Sequence, residues 1–179
     1  MTQAAQQYGQ ALYELARDEN IGKEMLSQLQ NLAEAFREEP DFLRLLASPN
    51  LSKPERCDLL DDSFRQNLHP YLLNFLKILT QEGLIRKFPD CCKHFESCYY
   101  ADNGILPVKV CTAQPLTAQQ TKKLIKKMES ITGRTVLLEN RIDPDCLGGV
   151  LLCYDGVQVD GTVKNRLDAV GKLLQNTVL

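Results

Sequence analysis

Long apolar runs are missing from this sequence. The best candidate, Tyr71 to Leu79, is interrupted by Asn74 and Lys77, well short of the roughly 18 residues a membrane-spanning helix needs. No direct membrane span is therefore expected. No targeting leader is expected either: Met1 to Gln10 has neither a basic start followed by an apolar stretch nor any arginine, which argues against secretory and mitochondrial leaders and reads as a cytosolic or a processed product. There is no loop built to cradle phosphate, because Gly148 and Gly149 precede a strand pattern and not a helix start, so a bulge or close backbone packing is the expected role and no cofactor is expected. Histidine is scarce. His69 precedes Pro70, His94 lies on a helical stripe, and neither accompanies a nucleophile motif, which excludes the familiar hydrolase arrangements.

What is present is the composition of a soluble globular chain: 179 residues, 44% apolar, Lys plus Arg 21 against Asp plus Glu 23, net charge −2. That length allows two small domains, each with its own core. Near-neutrality removes whole-chain attraction to nucleic acid or anionic membranes. The charge is uneven, with 11 Lys/Arg against 16 Asp/Glu up to Gly104 and 10 against 7 from Ile105 onward. Seven cysteines is an odd number in a chain able to form ordinary cores, so reduced thiols are expected, not a disulfide framework. Cys91, His94 and Cys98 fall on one helix face at metal-ligand spacing, but Cys91, Phe95 and Cys98 also continue an apolar stripe. Buried cysteine behaves as a small hydrophobe, and the expected reading is packing without metal.

The first hundred residues carry helical periodicity broken by stops. Tyr8, Leu12, Leu15 and Ala16 form one stripe; Leu29, Leu32, Ala33 and Phe36 form a second that ends at Pro40. A short apolar segment, Phe42 to Leu46, follows. Ser52 to Glu55 is a capping box that opens a fourth helix, and Pro70 suits the first turn of a fifth, apolar on nearly every side from Tyr71 to Leu79. A sixth stripe runs from Leu84 through Phe88, Cys91 and Phe95 to Tyr99. The expectation is an N-terminal six-helix bundle over residues 1–104.

At Gly104 the period changes to two: Leu106, Val108, Val110 and Thr112 alternate with Pro107, Lys109 and Cys111, as on a half-buried strand. Thr117 to Gln120 is a second capping box, opening a helix with Leu124, Ile125, Met128 and Ile131 on one face and Lys122, Lys123, Lys126 and Lys127 off it. Thr135 to Ile142 and Gly149 to Tyr154 are β-rich, and Asp155-Gly156 signals a hairpin. Thr162 can cap a last helix whose stripe is Val163, Leu167, Val170 and Leu174. Residues 105–179 are thus expected as a small C-terminal α/β domain, and the fold class as α + α/β.

Two rival chemistries attach to these features. Asp143, Asp145, Asp155 and Asp160 could gather as a metal or acid/base site, although turn and cap roles account for aspartates next to proline and glycine. The Lys122–Lys127 helix could serve a nucleic-acid-binding or regulatory adaptor, but no aromatic ladder accompanies it, so no nucleic acid is expected.

Tyr8, Ala11, Leu12, Leu15 and Ala16, the Ser48-Pro49 stop, Lys53, Asn74, Phe75 and Leu76, and Gly83-Leu84 resemble the N-terminal domain of the ATP synthase delta subunit family, called OSCP in mitochondria. The second half is the more specific match. Val108, Val110, Ala113, Pro115, Leu116, Thr117 and Gln120, then Asp143, Leu147, Gly148, Gly149 and Val150, then Val159, Asp160, Gly161, Thr162, Val163, Arg166 and Leu167 follow the family's order. The likeness covers essentially the whole chain. Thr162 stands where the family commonly has Ser, and either hydroxyl caps a helix.

The resemblance implies a non-catalytic stator subunit of the rotary proton-translocating ATP synthase, linking the catalytic head to the peripheral stalk so that ion flow is coupled to ATP synthesis. It implies that the N-terminal bundle receives the amphipathic N-terminal helix of an alpha subunit, and that the C-terminal domain receives a b-type stalk subunit. It places the chain peripherally at the cytoplasmic face of the bacterial cell membrane. Helix-in-groove recognition then makes the first and fifth helices the expected walls, with Tyr8, Leu12, Leu15, Leu72, Phe75, Leu76 and Leu79 as expected contacts. Asp143, Gly148, Gly149, Asp160, Gly161, Thr162 and Arg166 are expected to be structural.

Overall fold

A computed structural model of the chain describes residues 2–48 and 50–165. It mixes helix and sheet, in two compact units that divide between Tyr99 and Tyr100. The first unit carries α1 (Gln3–Asp18), α2 (Gly22–Glu38), α3 (Pro40–Leu46), α4 (Lys53–Phe64), α5 (Pro70–Gln81) and α6 (Phe88–Asp102), which continues past the division to the end of the helical period near Gly104.

The local signals act where they stand in the sequence. Ser52 Oγ accepts from Glu55 N while Glu55 Oε2 accepts from Ser52 N, which satisfies two donors at the start of α4. At α5, Pro70 occupies the first turn and His69 Nδ1 accepts from Tyr71 N at 3.3 Å. One feature differs from the sequence reading: the sixth stripe is not a single helix from Leu84, because a 3-10 turn, Ile85–Lys87, precedes α6. Pro89 explains the break, since its ring excludes helix on its N-terminal side and is tolerated only in the first turn.

The helices share one apolar cluster. Leu29, Leu60, Leu72, Leu76 and Phe95 are among its fully buried members, Leu12 is buried beside them, and α5 alone buries Leu72, Leu73, Phe75, Leu76, Leu79 and Thr80. Edge-to-face rings tie α1 to α6 through Tyr13 and Phe95 at 5.5 Å, and α2 to α6 through Phe36 and Phe88 at 5.3 Å.

Cys91 is part of this core. Burial, helped by the Asp90 carboxylate, pushes its thiol up to about 11, and burial foremost also raises Cys92. The thiolate is the nucleophile, so at pH 8 Cys91 in the native protein should carry on the order of a hundredfold less of it than an unfolded cysteine. Iodoacetamide labelling followed by mass spectrometry should show Cys91 and Cys92 lagging by about that factor relative to the urea-unfolded chain. Equal rates would mean that the inner face of α6 is open.

The second unit contains β1 (Ile105–Thr112), α7 (Ala118–Thr132), β2 (Thr135–Ile142), β3 (Val150–Tyr154) and β4 (Val157–Asp160). The sheet order is β2-β1-β3-β4, with β1 parallel to β2 and antiparallel to β3, and β3 antiparallel to β4. The parallel pair requires a crossover, which α7 supplies. Thr117 and Gln120 cap its start reciprocally and Gly133 ends it in the left-handed region. Leu106, Val108, Val110 and Val136 pack with Met128, Leu124 and Ile125 of α7. Pro107 is exposed, and β3 pairs with β1 only from Lys109 to Thr112, so its missing N–H falls outside that ladder. Asp155 (φ 45°) and Gly156 (φ 76°) make the two-residue turn between Tyr154 and Val157. Gly149, read from sequence as the first residue of a strand, lies in the loop ahead of β3. Arg166, Leu167, Val170 and Leu174 lie outside the described residues.

Candidate functional site

The two outward-facing helices of interest are α1 and α5. Burial along α1 falls on Ala5, Gly9, Leu12, Tyr13 and Ala16. Gly9 seats this face on α6: a Cβ there would lie 2.7 Å from Cys91 O and 3.0 Å from His94 Cβ, closer than side-chain carbon can stand. The neighbouring flank of α1 is left outward, with Tyr8 half-buried, Ala11 exposed and Leu15 39% exposed.

On α5 the sequence-expected contacts go inward. Leu72, Leu76 and Leu79 are fully buried, Phe75 is 6% exposed, and Leu12 of α1 is 5% exposed. Five of the seven expected wall residues are therefore core, because a helix apolar on nearly every side gives its deepest positions to its own unit before any partner. The outward residue on α5 is Ile78, 46% exposed. Its signal was present in the sequence: Asn74 and Gln81, at i−4 and i+3 on the same face, are polar and exposed. Beside it, Lys77 is held by Asp61 of α4 at 2.7 Å.

In the second unit, five of the motif residues meet at one crossing. Gly161 N donates to Val150 O and Val163 N donates to Gly148 O, both at 2.9 Å. Gly149 has φ 82°, and a Cβ on it would lie 2.4 Å from Gly161 O. Glycine is required by conformation and by space at once. Thr162 donates to Asp160 Oδ1 through both its backbone N–H (2.9 Å) and its hydroxyl (2.7 Å); these bonds hold the Asp160 carboxyl below its ordinary pKa. Thr162 Oγ1 in turn accepts from Asn165 N at 3.2 Å, the expected cap.

Asp143 shares a hollow of about 280 Å³ with Asp160 and Thr162. Asp155 is elsewhere, at the hairpin turn, where it pairs with Arg134 at 2.8 Å. Asp160 and Asp155 thus serve a cap and a turn, and no group of three or more metal-type ligands, Cys91, His94 and Cys98 included, is assembled among the described residues. Lys122, Lys123, Lys126 and Lys127 are all exposed on the side of α7 away from Leu124 and Met128, a solvated face. Among the described residues no helix is long and apolar enough to cross a membrane.

The arrangement is one of surfaces and clamps, and comparison with known proteins says which. The family model described as ATP synthase delta (OSCP) subunit matches residues 4–174. The chain belongs to the ATP synthase delta (OSCP) family. It is a non-catalytic stator subunit of that enzyme complex. Delta subunits similar to it include one from Alkaliphilus metalliredigens, 30% identical with 96% of each chain covered, and one from Clostridioides difficile, 29% identical with 97% of each covered. A chain of the Toxoplasma gondii mitochondrial ATP synthase hexamer, 21% identical, superposes with a TM-score of 0.74 over 98% of both chains. The delta/OSCP fold therefore extends over both units.

Proposed function

We propose that α1–α6 work as one six-helix bundle that receives the amphipathic N-terminal helix of an alpha subunit of the catalytic head, while residues 105–179 receive a b-type stalk subunit. The assembly stands at the cytoplasmic face of a bacterial cell membrane, where it resists rotation of the head and couples ion flow to ATP synthesis. The observation that carries this reading is the family match across nearly the whole chain. The contact surface is the outward flank of α1 and α5, led by Tyr8, Leu15 and Ile78; it differs from the sequence expectation in leaving Leu12, Leu72, Phe75, Leu76 and Leu79 to the core. A helix laid on such a flank gains affinity by covering apolar side chains.

A labelled peptide from the alpha-subunit N-terminus of the same host, titrated into the full chain, tests it. Leu15→Asp and Ile78→Asp each place a charge under the docked helix and should weaken binding about a hundredfold, ~2.7 kcal/mol. Complexes reassembled with either variant should lose ATP-driven ion pumping while ATP hydrolysis persists. Unchanged peptide affinity overturns the proposed surface, and loss of hydrolysis by the head overturns the stator role.

A further inference from the structure

The corner where α2, α3 and α4 meet carries a hollow of about 620 Å³, a volume in the range of small-molecule sites. It takes in no residue of α1 or α5. Phe36, 4% exposed, stands at its back, and the half-buried rings of Phe42 and Phe64 line it in front. Phe42 lies nearly parallel to Phe36, with centroids 5.9 Å apart and planes at 25°, while Phe64 stands across both, at 87° to Phe42 and 76° to Phe36. Ring planes therefore meet at a right angle around the hollow. Leu45, 43% exposed, completes the apolar part of the rim. The rest of the rim is acidic: Glu39 and Asp41 are the charged residues that line the hollow, and no lysine or arginine does. Arg44 is drawn to Asp41 at 2.7 Å and stays 74% exposed, whereas Glu39 has no ion pair among the described residues.

We infer that this corner binds an apolar organic cation, an alkyl-substituted ammonium group that sits against Phe42 and Phe64 with Glu39 beside its charge. The face of an aromatic ring is its negative side, so the rings and the unpaired carboxylate select the same property: positive charge on an apolar body. A neutral apolar molecule would satisfy the rings and leave Glu39 unanswered. An anion would meet two carboxylates. A bare ammonium is held back by its strong hydration, whereas a methylated one spreads its charge over carbon and loses less water on entering an aromatic site. The site lies apart from the flank of α1 and α5, and the inference does not rest on the stator reading.

Choline and neohexyl alcohol have the same shape and differ in one atom, a positive nitrogen in the first and a carbon in the second. Each is titrated into the full chain and followed by NMR of the phenylalanine rings, with the ring-current shift of the probe's methyl protons as a second readout. Choline should bind saturably and about tenfold more tightly than the alcohol, with shifts centred on Phe42 and Phe64. Phe64→Leu keeps an apolar wall without a ring; it should weaken choline about fivefold and leave the alcohol within about twofold. Glu39→Gln, at an exposed position where the fold is kept, should weaken choline about threefold, an effect that high salt removes. Choline that binds no better than the alcohol marks an apolar hollow without charge selectivity and overturns the inference. So does choline affinity unchanged in Glu39→Gln at low salt, or shifts centred away from α2, α3 and α4.

Discussion

Phe75→Asp is expected to unfold the helical unit. Phe75 lies in the core beside fully buried Leu72, Leu76 and Leu79. Removing a buried phenylalanine costs ~3–5 kcal/mol, and an unpaired carboxylate in its place adds several more. The sum is comparable to the whole stability of a typical domain, about 5–15 kcal/mol. Circular dichroism should show the loss of helical signal, or a cooperative transition moved down by tens of degrees. Ile78→Asp, three residues on and 46% exposed, should melt within a few degrees of wild type. If the two variants melt alike, the burial assigned to α5 is wrong. Their difference also separates a folding defect from a docking defect in the peptide experiment above.

A comparable loss, confined to the other unit, is expected for Gly149→Ala. The residue's φ of 82° strains any side chain by ~1–3 kcal/mol. The added carbon would also meet Gly161 O and Thr162 Cα, at 2.4 and 2.9 Å. Both are backbone atoms, so relief requires separating the strands and breaking the bonds Gly161 N to Val150 O and Val163 N to Gly148 O. Together these put the loss at ~3–5 kcal/mol. Gly156→Ala is the control: its φ is 76° but nothing stands within 4 Å of the added carbon, so ~1 kcal/mol is expected. Hydrogen exchange should speed up throughout β3 and β4 in Gly149→Ala and only near the turn in Gly156→Ala. Equal protection in the two variants would show that the crossing is not formed.

These two residues mark where sequence reading succeeded and where it stopped. Period, caps and punctuation were legible because they are local: the reciprocal bonds of Ser52 with Glu55 and Thr117 with Gln120 form between residues three apart, and Asp155-Gly156 turns the chain within its own dipeptide. Gly149 was legible only as a bulge or a close approach, since what it approaches, Gly161, is remote in sequence. The inward side of α5 was hidden by its uniform apolarity, with only Asn74 and Gln81 pointing to the outward one. Strand order was hidden too. No local pattern states that β3 pairs with β1 and not β2, because that choice joins residues remote in sequence, Lys109 to Thr112 with Val150 to Cys153.

The crossing of Gly149 with Gly161 also decides how the second unit bears load. A β-hairpin pulled at its two ends peels from its open end, one rung at a time, because the load falls on the outermost pair alone. In β3–β4 that open end is at Leu151 and Asp160, opposite the Asp155-Gly156 turn. There the chain is fastened by the bonds from Gly161 to Val150 and Val163 to Gly148, with the two backbones in contact between them. Tension arriving from beyond Asn165 meets this fastening before it reaches any rung of the ladder, so the hairpin responds as a stiff element with no free lip from which to tear. In a part whose work is to hold against torque, any give under load then has to come from outside this hairpin.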